Sequence, residues 1–61
     1  MCQKPFTVAH TQEGLFAIVW TRDKALARSW AATRWGLDPV LIDVWPTTQE
    51  DQQYGLKAYY A

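Results

Sequence analysis

The feature that most restricts how this chain folds is a run of six apolar residues, Leu15 to Trp20, directly after a turn-like segment. The run is rich in β-branched and aromatic side chains and is too short for an independent helix, so it predicts a strand. Successive residues of a strand point to opposite faces of its sheet. Because both faces of this strand are apolar, we expect it to be central and covered on both sides.

A second strand precedes this run. Residues 6–10 alternate in character, with Phe6, Val8 and His10 on one side of the predicted strand. The polar residues Thr11–Gly14 then predict a four-residue hairpin connection, in which Gly14 is free to take a positive φ. The first 20 residues therefore predict a β-hairpin.

A helix is predicted over Arg22–Trp35, which is rich in alanine and contains neither proline nor glycine. Thr21 is suited to be its N-cap. Gly36 stands where a helix-ending glycine belongs, with Leu37 able to pack back on the last turn, and Asp38-Pro39 bars continuation.

The helical period divides this segment into two stripes. The stripe expected to pack on the sheet contains Leu26, Trp30, Thr33 and Leu37, with Ala27 and Ser29 beside it. The stripe expected to face water contains Lys24, Arg28, Ala31 and Trp35. This assignment makes Trp35 an exposed aromatic residue on a basic face.

The remainder of the chain predicts a third strand, followed by a segment that fits more than one structure. Residues 40–45 form the strand, with Val40, Ile42 and Val44 toward the helix and Pro46 closing it. The polar segment 47–53 fits either a loop or one helical turn, since Thr47 and Glu50 have capping-box spacing. Residues 54–61 predict a possible fourth strand with Tyr54, Leu56, Ala58 and Tyr60 on one face.

The element order ββαβ, with a possible final strand, predicts a single α+β domain over residues 1–61. We expect one helix packed on a three- or four-stranded, mainly antiparallel sheet. Residues 1–4 are expected to form a loose N-terminus, and residues 47–61 a polar loop with a possible edge strand. If the third strand is parallel to the second, their connection should be right-handed.

Composition restricts the function classes. Six basic and six acidic residues give zero net charge, which argues against the broad positive field of a typical nucleic-acid binder. Even the longest uncharged runs, such as Gly14–Thr21, are too short to span a membrane, and we expect no signal peptide. The single cysteine, Cys2, allows no internal disulfide, which favours a cytoplasmic location.

Catalytic chemistry is not indicated. One histidine and one cysteine are too few for the usual metal sites, and the three glycines are isolated rather than grouped in a phosphate loop. A Cys2–His10 pair would need a third group to orient the imidazole. We therefore expect no enzymatic activity, no metal and no cofactor.

Two groups of residues are candidates for binding a partner. The first is the basic side of the helix, with Lys24, Arg28, Arg34 and Trp35. The second is acidic, with Asp43, Glu50 and Asp51. The helix group fits a protein interface, in which Trp and Arg are enriched, or a nucleic acid, on which Trp35 would stack. It also fits an ordinary solvated helix face.

The hairpin, the helical segment TRDKALARSWAATRWGL (residues 21–37) and the strand PVLIDVW (residues 39–45) resemble, in size and layout, small α+β proteins encoded by phages and mobile elements. Anti-CRISPR proteins are the best-known inhibitors among them. The group shares no diagnostic motif, so no site residue is transferred.

The resemblance implies a stoichiometric inhibitor that occupies a surface of a host defence complex in the host cytoplasm. The expected partner is a protein or ribonucleoprotein complex rather than free nucleic acid or a membrane. Two alternatives stay open: a nucleic-acid-binding or regulatory module that uses the helix, and a structural subunit that forms a homodimer.

Overall fold

The computed structural model describes residues 3–61, and Met1 and Cys2, for which a loose terminus was expected, lie outside this range. Its elements in chain order are β1 (Lys4–His10), β2 (Leu15–Thr21), α1 (Lys24–Trp35), a 3-10 turn (Pro39–Leu41), β3 (Asp43–Pro46), α2 (Gln49–Gln53) and β4 (Ala58–Tyr60). The predicted α+β class is confirmed, with one long helix against a four-stranded sheet. Lys4 belongs to β1 and is not part of a loose segment.

The strands lie in the order β3-β1-β2-β4. β1 pairs antiparallel with both β2 and β3, whereas β4 pairs parallel with β2. β2 is therefore an interior strand, as its two apolar faces predicted, and Ala17, Ile18 and Val19 are buried. β2 and β3 run in the same direction with β1 between them, so α1 connects two strands that are not neighbours.

The predicted hairpin joins β1 to β2. His10 lies opposite Leu15, and Gly14 closes the four-residue connection with a φ of 66°. Its backbone N–H donates to the Thr11 carbonyl at 3.3 Å. Glycine adopts this left-handed conformation without the steric cost that a Cβ would add.

The ends of α1 are set by two local caps. The Asp23 carboxylate, not Thr21, caps the N-terminus by accepting from the Leu26 N–H at 3.0 Å. The predicted cap at Thr21 is wrong because Thr21 is the buried last residue of β2. At the C-terminus Gly36 has a φ of 67°, and the N–H groups of Gly36 and Leu37 both bond to the Ala32 carbonyl, as predicted.

The predicted inner stripe of α1 is correct for Trp30 and Leu37, which pack against the buried core, and for the neighbouring Ala27, but it is wrong for Leu26, Ser29 and Thr33. The buried residues of the helix are its alanines, Ala27, Ala31 and Ala32, whereas Thr33 is exposed and Leu26 is 42% exposed. Small side chains let the helix lie close to the sheet, where they share a core cluster with Phe6, Val8, Ala17, Val19 and Ile42. The larger rings Trp30 and Trp35 pack at the margins of this cluster. Close packing of the helix on the sheet therefore places small residues at the closest contacts between them.

The third strand begins later than predicted. Val40 and Leu41 belong to the 3-10 turn and are exposed, Val40 by 80%, so the expectation that Val40 faces the helix is wrong. The Asp38 carboxylate accepts from the Val40 N–H at 3.1 Å, which favours this turn over an extended strand. Ile42 is buried in the core cluster and Val44 packs against it, as predicted.

The sheet face opposite α1 is covered in part by α2. Thr48 begins this helix in a capping box with Asp51, one residue later than the predicted spacing of Thr47 and Glu50. In β4 the side chains alternate: Tyr59 packs with Trp30 of α1, and Tyr60 stacks on Trp20 on the opposite face. Of the two forms predicted for residues 47–53, a loop or one helical turn, the structure shows the helical turn, over Gln49–Gln53.

Candidate functional site

Five aromatic side chains lie on the sheet face opposite α1, and we call this surface the aromatic face; the half-buried Trp45 of β3 is one of them. Phe16 and Trp20 alternate along β2 with Ala17 and Val19, which contact the core under α1. Tyr60 of β4 lies opposite Trp20, and the two rings stack with centroids 6.1 Å apart and an interplanar angle of 21°. Tyr54, which lines a groove with Phe16, is the fifth member.

The chain that leaves α2 completes this face. Tyr54 ends α2, and Leu56 follows before β4 pairs with β2. Phe16, Tyr54 and Leu56 line an open groove of about 360 Å³. Phe16 is 45% exposed, and Tyr54 and Tyr60 are each 73% exposed. The aromatic face thus presents three large aromatic side chains to water.

Basic residues are absent from the strands on this face within residues 3–61. By strand alternation and register, Asp43 is the one charged strand residue on it, next to Trp45. α2 adds two further carboxylates, Glu50 and Asp51. The charges that border the aromatic face are therefore acidic.

Asp51 does not present its carboxylate to a partner, contrary to its assignment as an acidic binding residue. It is buried, and its Oδ2 accepts from the Thr48 N–H at 3.1 Å, from the Trp45 indole N–H at 2.9 Å and from the Thr7 hydroxyl at 3.0 Å. The Thr47 hydroxyl donates in turn to Thr7 at 3.1 Å, because the Thr7 proton is used on Asp51. Sequence reasoning missed this structural role because it depends on Thr7 and Trp45, which come from distant strands.

Hydrogen bonding also changes the acidity of this group. The backbone N–H of Thr48 lowers the pKa of the Asp51 carboxyl, burial opposes this effect, and the bonds from Trp45 and Thr7 add to the lowering. Asp51 is therefore held as an ionised structural acceptor. The other two acidic candidates, Asp43 and Glu50, are exposed.

The basic candidates do not form one face. Lys24 and Arg28 are exposed on one flank of α1, and Arg34 lies six residues after Arg28, about 120° around the helix. The Arg34 guanidinium stacks over the rings of Trp30 and Tyr59, at 5.9 and 5.1 Å from their centroids. These two rings lie 4.9 Å apart. Arg34 thus belongs to an aromatic cluster beside β4 and is separated from Lys24 and Arg28.

Trp35 is also placed differently from the prediction. It is half-buried and packs against the core cluster, so the expectation that it stands on the water-facing side of the helix is wrong. Trp35 lies close in phase to Ala31, and Ala31 faces the sheet. The same error in helix phase therefore misplaced both residues.

A second groove, of about 700 Å³, lies between α1 and the end of the sheet at which β2 and β4 end, with Gln3 and Ala61 in its wall. Arg22, Leu26, Ser29 and Trp30 line it from the helix side, and Thr21 lines it at the end of β2. We call it the α1–β4 groove. Its wall combines apolar side chains with the Arg22 guanidinium and the hydroxyl groups of Thr21 and Ser29.

The single histidine of the chain, His10, lies at the end of β1. His10 is buried, and its Nδ1 accepts from the Glu13 N–H at 3.3 Å. Within residues 3–61, no three side chains of the metal-ligating types gather in one place. In the same range, no helix has the length and apolar character needed to cross a membrane. We found no match to this chain among protein-family models, curated proteins or solved structures.

Proposed function

We propose that this chain is a small non-catalytic protein that acts by stoichiometric binding of a partner protein through its aromatic face. The observation that carries the proposal is the exposure of Phe16, Tyr54 and Tyr60 on one side of the sheet. A chain of 61 residues has few apolar side chains to spare from its core. Three large rings left in contact with water favour a surface that a partner covers.

The residue types support this interpretation. Tyrosine and tryptophan are enriched among the residues that contribute most to protein interfaces. Their rings also keep few rotatable bonds, so ordering them on binding costs little conformational entropy. The groove between Phe16, Tyr54 and Leu56 offers a concave position for one side chain of the partner.

The charges around the aromatic face favour protein over nucleic acid. Single-stranded nucleic acids stack on exposed aromatic rings, but their phosphates also require nearby Lys or Arg. The strand residues on this face supply only Asp43, and α2 adds Glu50 beside them. Acidic groups repel phosphate. The inhibitor role implied by the resemblance to phage-encoded proteins is one form that such binding would take.

The proposal is tested with surface variants. Phe16→Ser and Tyr54→Ser remove apolar area from the face, and Val40→Ser is the matched control because Val40 is more exposed but lies in the 3-10 turn. The tagged proteins are used to capture partners from a lysate of the encoding organism. Affinity for the captured protein is then measured with purified components.

We expect wild type and Val40→Ser to bind equally, and each aromatic-face variant to lose at least about 10-fold in affinity, or about 1.4 kcal/mol. Equal binding by all four proteins would refute the aromatic face as the interface. Saturable, salt-sensitive binding of DNA or RNA oligonucleotides would instead support the nucleic-acid alternative. Sedimentation of the isolated chain as a dimer, lost in Phe16→Ser, would support the structural-subunit alternative.

A further inference from the structure

We infer that the outer edge of β4, together with the α1–β4 groove, binds an extended acidic peptide segment by strand addition. This site is distinct from the aromatic face, and each of the two can fail without the other. Strand addition supplies affinity through backbone hydrogen bonds and specificity through side-chain pockets next to the edge.

The backbone of β4 is open on its outer side. The Lys57 carbonyl accepts from the Ile18 N–H at 2.9 Å, and the Ala61 N–H donates to the Trp20 carbonyl at 3.1 Å. In a parallel pair, alternate residues direct their backbone groups to the same neighbour. The N–H and C=O groups of Ala58 and Tyr60 therefore point away from β2, and no strand within residues 3–61 pairs with them.

The opposite edge of the sheet is less suited to this mode. β3 ends in Pro46, which has no N–H to donate, and begins with the exposed acid Asp43. Prolines and charges on an edge strand discourage strand addition. β4 contains neither a proline nor a charged residue.

The α1–β4 groove lies at the end of the sheet where β4 ends: Ala61, the residue after β4, lines it together with Leu26 and Trp30 of α1. Leu26 is 42% exposed, and the Trp30 ring contacts Tyr59 of β4 at a centroid distance of 4.9 Å. An added strand directs alternate side chains to opposite faces of the sheet. A peptide that pairs with β4 and extends past Tyr60 toward Ala61 would thus bring one apolar side chain to the groove, against Leu26 and Trp30.

The charged residues near the β4 edge favour an acidic peptide. Arg22 lines the groove, Arg34 stacks over Tyr59, and Lys57 immediately precedes β4. The nearby Asp23 carboxylate is used as the N-cap of α1. The acids of the second half of the chain lie at the other edge, in the 3-10 turn region, β3 and α2: Asp38, Asp43, Glu50 and Asp51. A basic edge of this kind complements a segment that alternates carboxylates with apolar residues.

The probe is a capped, fluorescently labelled seven-residue peptide of alternating glutamate and valine, titrated with the full chain and followed by fluorescence anisotropy. The matched control peptide replaces every glutamate with lysine. A third peptide carries an N-methyl group on every residue, which removes all the backbone donors needed for strand pairing and leaves the side chains unchanged.

We expect saturable binding of the glutamate peptide, at least about 10-fold weaker binding of the other two peptides, and a loss of at least about 10-fold in Arg34→Glu. Ala58→Pro removes the outward N–H and should weaken binding, whereas Ala58→Val keeps the N–H and should not. Phe16→Ser should have no effect, which separates this site from the aromatic face.

Several outcomes would overturn the inference. These are no saturable binding of the glutamate peptide up to millimolar concentration, equal binding of the glutamate and lysine peptides, or full binding of the N-methylated peptide. The peptide comparisons use the unaltered chain, so they remain decisive if Ala58→Pro fails to fold.

Discussion

The indole N–H of Trp45 donates to the Asp51 carboxylate at 2.9 Å and thereby attaches α2 to β3. All five residues of α2 are polar, so apolar packing does not hold this helix on the sheet. The same Oδ2 atom accepts from Thr7 of β1. A single oxygen therefore fixes α2 over two strands and sets the position of the chain that carries Tyr54.

The first prediction concerns this oxygen. Asp51→Asn preserves the shape of the side chain but removes the charge that three donors share, and should lower the free energy of unfolding by about 1–3 kcal/mol. Glu50→Gln, an exposed change in the same helix, should alter it by less than about 0.5 kcal/mol. Urea unfolding followed by tryptophan fluorescence measures both. Equal stabilities would show that the Asp51 contacts contribute nothing.

The second prediction concerns pH. The folded pKa of Asp51 lies below the ordinary carboxyl value of 3.8, so the folded state binds its proton less readily than the unfolded state. Its stabilisation is complete above that value and is lost as the pH falls through the lower folded pKa. The stability difference between wild type and Asp51→Asn, measured by urea unfolding, should therefore be the same at pH 7 and pH 5 and smaller at pH 3. A constant difference at all three pH values would contradict this linkage.

The third prediction tests the face of α1 that meets the sheet. Ala31→Leu forces extra methylenes into a fully buried position and should destabilise the fold by about 1–3 kcal/mol. Thr33→Leu places the same side chain on the exposed side of the helix and should leave stability within about 0.5 kcal/mol. Thermal unfolding followed by circular dichroism compares the two. The reverse order would restore the original phase assignment.

The fourth prediction tests where β3 begins. Ile42 is buried in the core cluster, and Ile42→Ala should cost about 2–5 kcal/mol. Val40 lies only two residues earlier but is exposed in the 3-10 turn, so Val40→Ala should cost less than about 0.5 kcal/mol. Denaturant unfolding of both variants provides the measurement. Comparable losses would indicate a strand that runs through Val40.

Local sequence signals predicted the elements of this fold where interactions within a few residues determine the structure. Gly14 and Gly36 ended their elements where expected, and the apolar run from Leu15 predicted the interior strand. These signals failed where tertiary packing determines which side of a helix is buried. The helical period ranked Leu26 as an inner residue and Ala31 as an outer one, but the close approach of helix and sheet buries Ala31 and leaves Leu26 exposed.

The aromatic face could be predicted only in part. The sequence showed that the tyrosines near the C-terminus are costly to leave in water, which led to the expectation that they dock. It did not show that β4 would pair beside β2, because parallel pairing of distant segments leaves no local pattern. That pairing is what stacks Tyr60 on Trp20 and leaves both Tyr54 and Phe16 exposed.

The short parallel pairing of β4 with β2 also has a consequence for the order in which the fold opens. Its three residue pairs join opposite halves of the chain, whereas the hairpin of β1 and β2 joins neighbours. Contacts between distant segments form late in folding, and short edge elements open first. In hydrogen–deuterium exchange the Ala61 amide, which bonds to the Trp20 carbonyl, should therefore lose protection well before the paired amides of β1 and β2, so that the outermost strand opens while the hairpin and α1 remain intact.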